Sequence, residues 1–414
     1  MATSTAEATA AVRRRPAAGG LAARGAVASV LVIVVLLIPV VLPSFRASQA
    51  TRAVIFAIIG LSLNVLLGHL GQISLGHQAF VGMGAFASGL MVGKGIPFFL
   101  ALPLAGVIGA LAAAILGLVA LRIRGLYLAL VTLAFGFVAE ESIFNVNALT
   151  RGGEGMPAPR PPGFLSDPAY MYLCLIVLAV VLLMDWRLVK TKGGRAIMAI
   201  RHDERVAATL GVNVTFYKLF AFMLSGFLAG IAGSLFAHWI TNIATNDFVL
   251  DLALVWVFMT VVGGLGSRAG IVIAATFFAL LPILLEAIFP LLQLLPFINA
   301  DMQGRLPRIV PVIGALLLVL TLTLYPGGIG QQLLPIRRWL AGGPFRDPLK
   351  HGRKHASRPA KRRRRRGSPP TPAGDGAATT TPTEVIVDAP GPAEAASAVA
   401  EAARATRPTG DGGA

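Results

Sequence analysis

The clearest set of residues that could do chemistry lies in one polar segment, 193–213, which separates two apolar stretches. Its apolar positions recur every three or four residues, which predicts a helix with one apolar face. Those positions are Ile197, Ile200, Ala207 and Leu210. Such an element favours reversible docking into a groove of a soluble partner, whereas a helix resting on a lipid surface is the alternative. The residues predicted to make this coupling contact are Gly194, Arg195, Arg201, Asp203, Glu204, Ala207 and Gly211.

A second set of polar residues lies beside two glycine-rich breaks in otherwise apolar sequence, 68–71 and 263–266. Glycine lets backbone groups approach a small solute closely, and polar side chains beside a helix break can offer it hydrogen bonds. Close packing of neighbouring helices is the alternative explanation for glycines in this setting. The predicted contacts of a solute pathway are Gly71, Gln72, Ser74, Gly76, His77, Gly263, Gly264 and Gly266.

Signatures of bond-making chemistry are missing from the sequence. It contains neither the nucleotide-binding pattern G-x-x-x-x-G-K-[ST] nor the zinc-protease pattern H-E-x-x-H, and its six histidines show no metal-ligand spacing. Cys174 is the only cysteine, which excludes a disulfide within the chain. We therefore expect no catalytic residue, and no metal or cofactor bound by this chain.

The elements that must position both sets of residues are apolar. Of the 414 residues, 55% are hydrophobic and 13% are charged. Runs of about 17–25 apolar residues match a hydrocarbon layer of roughly 30 Å, and spanning helices satisfy their own backbone groups. The sequence therefore predicts an all-α fold, a polytopic transmembrane helical bundle of about ten spans. The predicted spans are 26–43, 52–67, 77–93, 98–121, 126–146, 169–186, 216–238, 249–265, 269–289 and 309–325.

Ten spans place both termini on the same side of the membrane. That side receives most of the basic loop residues, including those from Arg187 to Arg205, so the positive-inside rule makes it the cytoplasm. The two glycine-rich breaks fall in or beside short spans in the two halves of the chain. This pattern suggests broken helices and an inverted repeat.

The composition divides the chain into three parts. Residues 1–25 and 342–414 are rich in small, polar and basic residues, which predicts disordered termini on either side of a membrane domain at 26–335. Much of the net charge of +17 lies in the C-terminal tail, for example in the run Lys361 to Arg366. Anionic lipid headgroups are the expected partner of this tail, and RNA is the alternative.

Ionisable residues within the predicted spans are few. Glu286 is the clearest case, whereas Glu140, Glu141, Asp247 and Asp251 lie near the outer ends of their spans. A proton-driven carrier needs carboxylates at mid-membrane, where each costs roughly 2.5–3.5 kcal/mol. Interfacial positions explain this distribution better than a proton relay.

The chain resembles the second-type permease subunit of branched-chain amino acid ABC importers over roughly 50–335. The motifs that carry the resemblance are Gly68-His69-Leu70-Gly71-Gln72-Ile73-Ser74-Leu75-Gly76-His77, Arg124-Gly125-Leu126-Tyr127-Leu128-Ala129-Leu130-Val131-Thr132-Leu133-Ala134, Leu149-Thr150-Arg151-Gly152-Gly153 and Val262-Gly263-Gly264-Leu265-Gly266. Segment 194–211, continuing to Tyr217-Lys218-Leu219, resembles the cytoplasmic coupling element of the family. Arg268 departs from the pattern, because an uncharged residue is commoner at that place.

The resemblance implies a multi-pass subunit of the bacterial plasma membrane that performs no covalent step itself. It implies a second, homologous permease subunit, two cytoplasmic ATPase subunits that use ATP, and an external substrate-binding protein, with no role for nucleic acid. The solute is expected to be a branched-chain or related amino acid, urea or a short amide. From the residues alone, an ion-coupled secondary carrier and a membrane scaffold that does not transport remain the alternatives.

Overall fold

A computed structural model describes residues 37, 39, 41, 43–121, 123, 125–150, 155–292, 306–324 and 328–332. The predicted terminal segments 1–25 and 342–414, and most of the first predicted span, lie outside these residues. In the described part the chain forms twelve α-helices: α1 (Ser44–Leu63), α2 (His77–Gly93), α3 (Phe98–Ala120), α4 (Leu126–Glu141), α5 (Asn147–Thr150), α6 (Asp167–Lys190), α7 (Lys192–His202), α8 (Glu204–Thr209), α9 (Val214–Ile240), α10 (Leu250–Gly263), α11 (Arg268–Leu292) and α12 (Leu306–Leu324).

The expected helical membrane bundle is confirmed. Seven helices of the described part are long and apolar enough to cross a membrane: Phe45–Leu70, Phe98–Val119, Tyr127–Asn145, Asp167–Lys190, Val214–Ile240, Thr245–Gly263 and Arg268–Ala287. Each coincides with a predicted span. Two further predicted spans correspond to α2, which has 17 residues, and α12, whose apolar stretch is limited to Pro311–Thr321. The count of ten spans stays a prediction.

Local sequence explains where several helices begin and end. Asp167 and Pro168 start α6, because proline is favoured in the first turn and an acidic residue there interacts well with the helix dipole. Pro97 precedes α3 in the same way, where its missing N–H removes no helical hydrogen bond. Antiparallel pairing of β1 (Met156–Pro157) with β2 (Asn242–Ile243) joins two loops at the end of α9.

The core is centred on α1 and α9. Every residue of α1 from Ala53 to Leu63 is buried, as expected for a helix that is apolar on all sides. Glycines bring α9 close to its neighbours: a methyl group added at Gly109 of α3 would lie 2.3 Å from the Gly226 carbonyl oxygen, and one at Gly84 of α2 only 2.4 Å from Gly230 Cα. Backbones can approach this closely only where both helices carry small residues.

Candidate translocation and coupling site

The first glycine-rich break interrupts the path from α1 to α2. After Leu63 the helix widens into a π-helical segment, Asn64–Leu70, a form that is frequent at functional sites. The segment ends at Gly71, whose φ of 76° lies in the left-handed region that glycine adopts without strain. The chain then runs without helical structure until α2 begins at His77. Its backbone is tied to α4, where the Thr132 hydroxyl accepts a hydrogen bond from the Leu75 N–H at 2.9 Å.

Several buried polar side-chain atoms beside this break have no hydrogen-bond partner within the described part of the chain. His77 Nε2 donates to Ser62 Oγ at 2.7 Å, because that hydroxyl already donates to the Ile59 carbonyl, so Nδ1 is left as a buried acceptor. The other such atoms are Gln72 Oε1, Ser74 Oγ, and Oε1 and Nε2 of Gln78. An unpaired buried polar group costs about 1–3 kcal/mol, so this cluster is suited to a polar occupant.

The second glycine-rich break joins α10 to α11 and contacts the first one. Gly264 and Gly266 have φ values of 97° and 82°. The Gly266 N–H donates to Asn64 Oδ1 at 2.8 Å, and the Asn64 amide nitrogen lies 3.3 Å from His69 Nε2. A methyl group at Gly68 would lie 2.9 Å from the Gly266 nitrogen. The buried side chain of Asn64 thus connects two breaks that are about two hundred residues apart in the sequence.

A buried charge cluster lies next to these breaks. Asp185, near the end of α6, accepts hydrogen bonds from His69 Nε2 at 2.8 Å and from the Arg268 guanidinium. The Asp185 side chain is fully buried, and those of His69 and Arg268 are 6% and 27% exposed. Since His69 belongs to the first break and Arg268 follows the second, Asp185 holds both at the end of α6. This pairing gives Arg268 a buried acidic partner.

The polar segment folds as a hairpin of two short helices, α7 and α8, which we call the coupling hairpin (192–209). Each helix start is capped by a side chain: Thr191 Oγ1 accepts from the Gly194 N–H at 3.1 Å, and Asp203 Oδ1 accepts from the Arg205 N–H at 2.8 Å. Gly194 allows tight packing on α6, because a methyl group there would lie 1.9 Å from the Leu188 carbonyl oxygen. Gly211, with φ of 81°, turns the chain towards α9.

The hairpin turns its predicted apolar face inwards, with one exception. Ile197, Ile200 and Ala207 are at most 5% exposed and belong to the core, whereas Leu210 is 77% exposed. Leu210 lies just beyond the end of α8, in a turn that no longer follows the helical spacing by which it was assigned to this face. Together with Val206, which is 52% exposed, it forms an apolar patch on the outer face of the hairpin.

Of the charged side chains predicted to contact a partner, Asp203 and Glu204 make contacts within this chain, whereas Arg195 is exposed. Asp203 caps α8, and Glu204 pairs with Lys218 of α9 at 2.7 Å, so both side chains stabilise the hairpin itself. Arg195 is exposed, and its guanidinium also donates to the Lys190 carbonyl at 3.3 Å.

Arg201 connects the coupling hairpin to the first break. Its guanidinium donates a hydrogen bond to the Gly68 carbonyl oxygen, and Gly71 packs so closely that a methyl group there would lie 2.9 Å from Arg201 Cγ. Part of the Arg201 side chain is also exposed at the surface. The hairpin is therefore in direct contact with the backbone of the first break.

The structure thus brings together residues from both predicted sets, and it adds others. Arg201 and Gly71 are in contact, and Gly266 reaches the first break through Asn64. Sequence reasoning did not single out Asn64, Gln78 or Asp185. The sequence did contain a signal for Asp185: it lies within a predicted span, where an ionisable residue is costly unless it is paired. In the described part of the chain no group of three or more His, Cys, Asp or Glu side chains could hold a metal ion.

These features define a class: a polytopic helical membrane protein with two touching helix breaks and a polar hairpin at one end of its bundle. Residues 46–324 match the family described as branched-chain amino acid transport system / permease component, and the chain belongs to that family. The predicted membership is confirmed. The protein is a multi-pass protein of the bacterial inner membrane, in a family of transport subunits rather than enzymes.

Three relatives show how far the similarity extends. The high-affinity branched-chain amino acid transport system permease protein LivM of Salmonella typhimurium is 34% identical over 55% of this chain and 60% of its own length. LivM of Escherichia coli is 33% identical, with 59% of this chain and 66% of the relative covered. The autoinducer 2 import system permease protein LsrC of an Enterobacter species is 30% identical, with 53% and 63% covered. The chain therefore matches less than two thirds of the length of each of these relatives.

Proposed function

We propose that this chain is the permease subunit of an ATP-driven importer for branched-chain or related amino acids, and that it encloses the translocation path with a second, homologous permease subunit. Membership in the permease family supports this proposal, as do two relatives named for branched-chain amino acid transport. The relative named for autoinducer 2 import indicates that solutes other than amino acids belong to the same range.

The observation that carries the proposal is the hydrogen bond from Arg201 to the Gly68 carbonyl oxygen. It joins a surface-exposed hairpin to the helix break at the end of the membrane span Phe45–Leu70. An importer driven by cytoplasmic subunits requires such a link, because binding of a partner can change the pathway only if it favours one conformation over another. The Arg201 contact is the means by which hairpin position and break geometry become coupled.

The outer face of the coupling hairpin is the docking surface that we assign to two cytoplasmic ATPase subunits, one on each permease. It combines the apolar patch of Val206 and Leu210 with exposed basic side chains at Arg195 and Arg205. Protein interfaces commonly have an apolar centre and a polar rim. ATP hydrolysis belongs to these partners, since the sequence lacks the phosphate-binding loop. This assignment places the hairpin and both chain termini in the cytoplasm, and an external binding protein at the opposite end.

The translocation path runs beside the first break, along the unpaired polar atoms of Gln72, Ser74, His77 and Gln78. A solute with hydrogen-bonding groups can satisfy these atoms while it passes. The touching glycine breaks allow the backbone to move there, because both contain glycines in the left-handed region. ATP binding and hydrolysis by the partners alternate the opening of this path between the two sides.

The proposal is tested on the complex that copurifies with a tag on this chain, reconstituted into vesicles. Arg201→Ala is expected to retain ATPase subunits and ATP hydrolysis while ATP-dependent uptake of leucine falls at least about tenfold, because the hairpin no longer acts on the break. Arg187→Ala is the matched control. Arg187 lies near the same end of the bundle but contacts the Trp186 ring rather than the hairpin or the break.

Three results would contradict the proposal. The tagged chain could copurify without any nucleotide-hydrolysing subunit. Normal ATP-driven uptake by the Arg201→Ala complex would show that this contact does not transmit the coupling. Uptake by this chain alone that an ionophore abolishes would identify an ion-coupled carrier instead.

A further inference from the structure

A cavity of about 570 Å³ lies among α1, α9, α10, α11 and α12. Its volume falls in the range of roughly 300–1,000 Å³ that is usual for small-molecule sites. Four charged side chains, Arg52, Asp247, Asp251 and Glu286, line it together with aromatic and aliphatic ones. It shares no lining residue with either helix break or with the coupling hairpin.

The cavity lies at the end of the bundle remote from the coupling hairpin. Trp239 and Ile240 line the cavity and lie at the end of α9. The start of α9, at Val214, is separated from the hairpin only by residues 210–213. With 27 residues, α9 spans about 40 Å at roughly 1.5 Å per residue. Arg52 lies near the start of α1, and the first break lies beyond the other end of the same helix. The cavity is therefore placed to receive a solute before the solute reaches the break.

The cation of the cavity is available for a ligand. The Arg52 guanidinium lies 5.1 Å from the centre of the Phe56 ring. None of the ion pairs formed among the described residues includes Arg52. A guanidinium offers several N–H donors in a planar fork, a geometry that matches a carboxylate.

The acidic side chains of the cavity come from other elements of the fold than Arg52, which belongs to α1. Asp247 and Asp251 lie around the start of α10, and Glu286 lies on α11. One oxygen of Asp247 accepts the Ala244 N–H at 2.8 Å, whereas Asp251 and Glu286 are exposed. An ammonium group carries three donors and no acceptor, so several carboxylate oxygens suit it well.

The rest of the lining is largely apolar and includes Phe236, Trp239, Leu252, Val255, Phe278 and Pro282. Pockets of this kind, mostly apolar with a few convergent polar groups, bind small molecules in a fixed orientation. A free α-amino acid with an aliphatic side chain presents one carboxylate, one ammonium and one apolar group. We propose that this cavity binds such an amino acid, with its carboxylate on Arg52, its ammonium on the acidic residues and its side chain against the apolar wall.

This inference deepens the proposed function, on which its choice of substrate class rests. It is tested with the full-length chain in lipid nanodiscs by scintillation proximity with radiolabelled L-leucine. On the unaltered protein, L-leucinamide, which lacks the carboxylate, and 4-methylpentanoate, which lacks the ammonium, are each expected to compete at least about tenfold more weakly than L-leucine. Both analogues keep the aliphatic group, so the difference reports the two charged contacts.

Matched variants locate the binding. Arg52→Gln is expected to weaken L-leucine binding at least about tenfold, because it removes a charge-assisted contact. Arg46→Gln is the control, since Arg46 lies on the same helix, is exposed and does not line the cavity. Glu286→Gln is expected to weaken binding, and Asp167→Asn, at a carboxylate that pairs with Arg160 and does not line the cavity, is expected to leave it unchanged.

Several outcomes overturn the inference. They are the absence of saturable L-leucine binding, competition by either analogue as strong as that of L-leucine, and equal losses in Arg52→Gln and Arg46→Gln. Competition by glycerophosphoethanolamine in place of L-leucine would assign the cavity to a lipid headgroup. If the nanodisc protein does not bind leucine while the reconstituted complex still imports it with ATP, the cavity assignment fails and the proposed function stands. Binding by the chain without ATP-driven import by the complex would support the cavity and contradict the proposed function.

Discussion

Replacing Asp185 with alanine should be among the most damaging single changes near the helix breaks. The Asp185 side chain is fully buried and pairs with both His69 and Arg268. Removing one member of a buried ion pair typically costs about 3–5 kcal/mol, because the remaining charge stays desolvated without a partner. Since the Arg268 side chain is 27% exposed and can reach water, we expect a loss of about 3 kcal/mol, at the lower end of this range. Reversible unfolding in mixed micelles of lipid and sodium dodecyl sulfate measures this change.

The first residue of the same helix provides the control. Asp167 pairs with Arg160 at 2.8 Å, but its side chain is 24% exposed. An exposed pair contributes about 0–1 kcal/mol, so Asp167→Ala should lower the free energy of unfolding by no more than about 1 kcal/mol. Removal of Arg268 together with Asp185 should recover part of the loss, because no arginine charge is then left unpaired. Equal effects of the two single aspartate changes would refute the assignment of Asp185 as the centre of a buried charge cluster.

Two further predictions concern the breaks themselves. Asn64→Ala removes the Oδ1 atom that accepts the Gly266 N–H, and it should lower the free energy of unfolding by about 1–3 kcal/mol. An unchanged unfolding curve would show that the packing of the two breaks does not depend on this contact. Gly76→Ala adds a methyl group 1.8 Å from a carbonyl oxygen of α4. It should cost about 1–3 kcal/mol by overpacking, whereas Gly93→Ala, with nothing within 4 Å, should change stability by less than about 0.5 kcal/mol in the same unfolding assay.

Much of the fold was predictable from the sequence, because hydropathy acts locally. A lipid environment requires each spanning helix to be apolar over its own length, so spans such as Val214–Ile240 are visible without tertiary information. The position of the coupling hairpin was also predictable, because a polar segment with helical spacing separates two apolar stretches and Gly211 is a residue type that ends helices. Leu210 was assigned to the same apolar face as Ile197, Ile200 and Ala207, but it is 77% exposed, because helical spacing does not extend into the turn after α8.

The contacts that join the candidate site were not predictable in the same way. Asn64 and Gly266, or Asp185 and His69, are distant in sequence, and only the packing of α1, α6 and α10 brings them together. Their residue types are compatible with many local roles, from a helix cap to an interfacial polar group. Gly71 and Gly264 indicated where the helices break, but neither indicated that the two breaks would touch.

The side-chain caps of the coupling hairpin determine how it can respond to a force. Thr191 and Asp203 fix the starts of its two helices, and Asn213 fixes the start of α9 by accepting the Phe216 N–H at 3.1 Å. A segment restrained at all three places is stiff before any partner arrives, so association loses little conformational freedom. In the proposed importer, a displacement of the hairpin would therefore reach the Gly68 carbonyl through Arg201 with little bending of the hairpin itself.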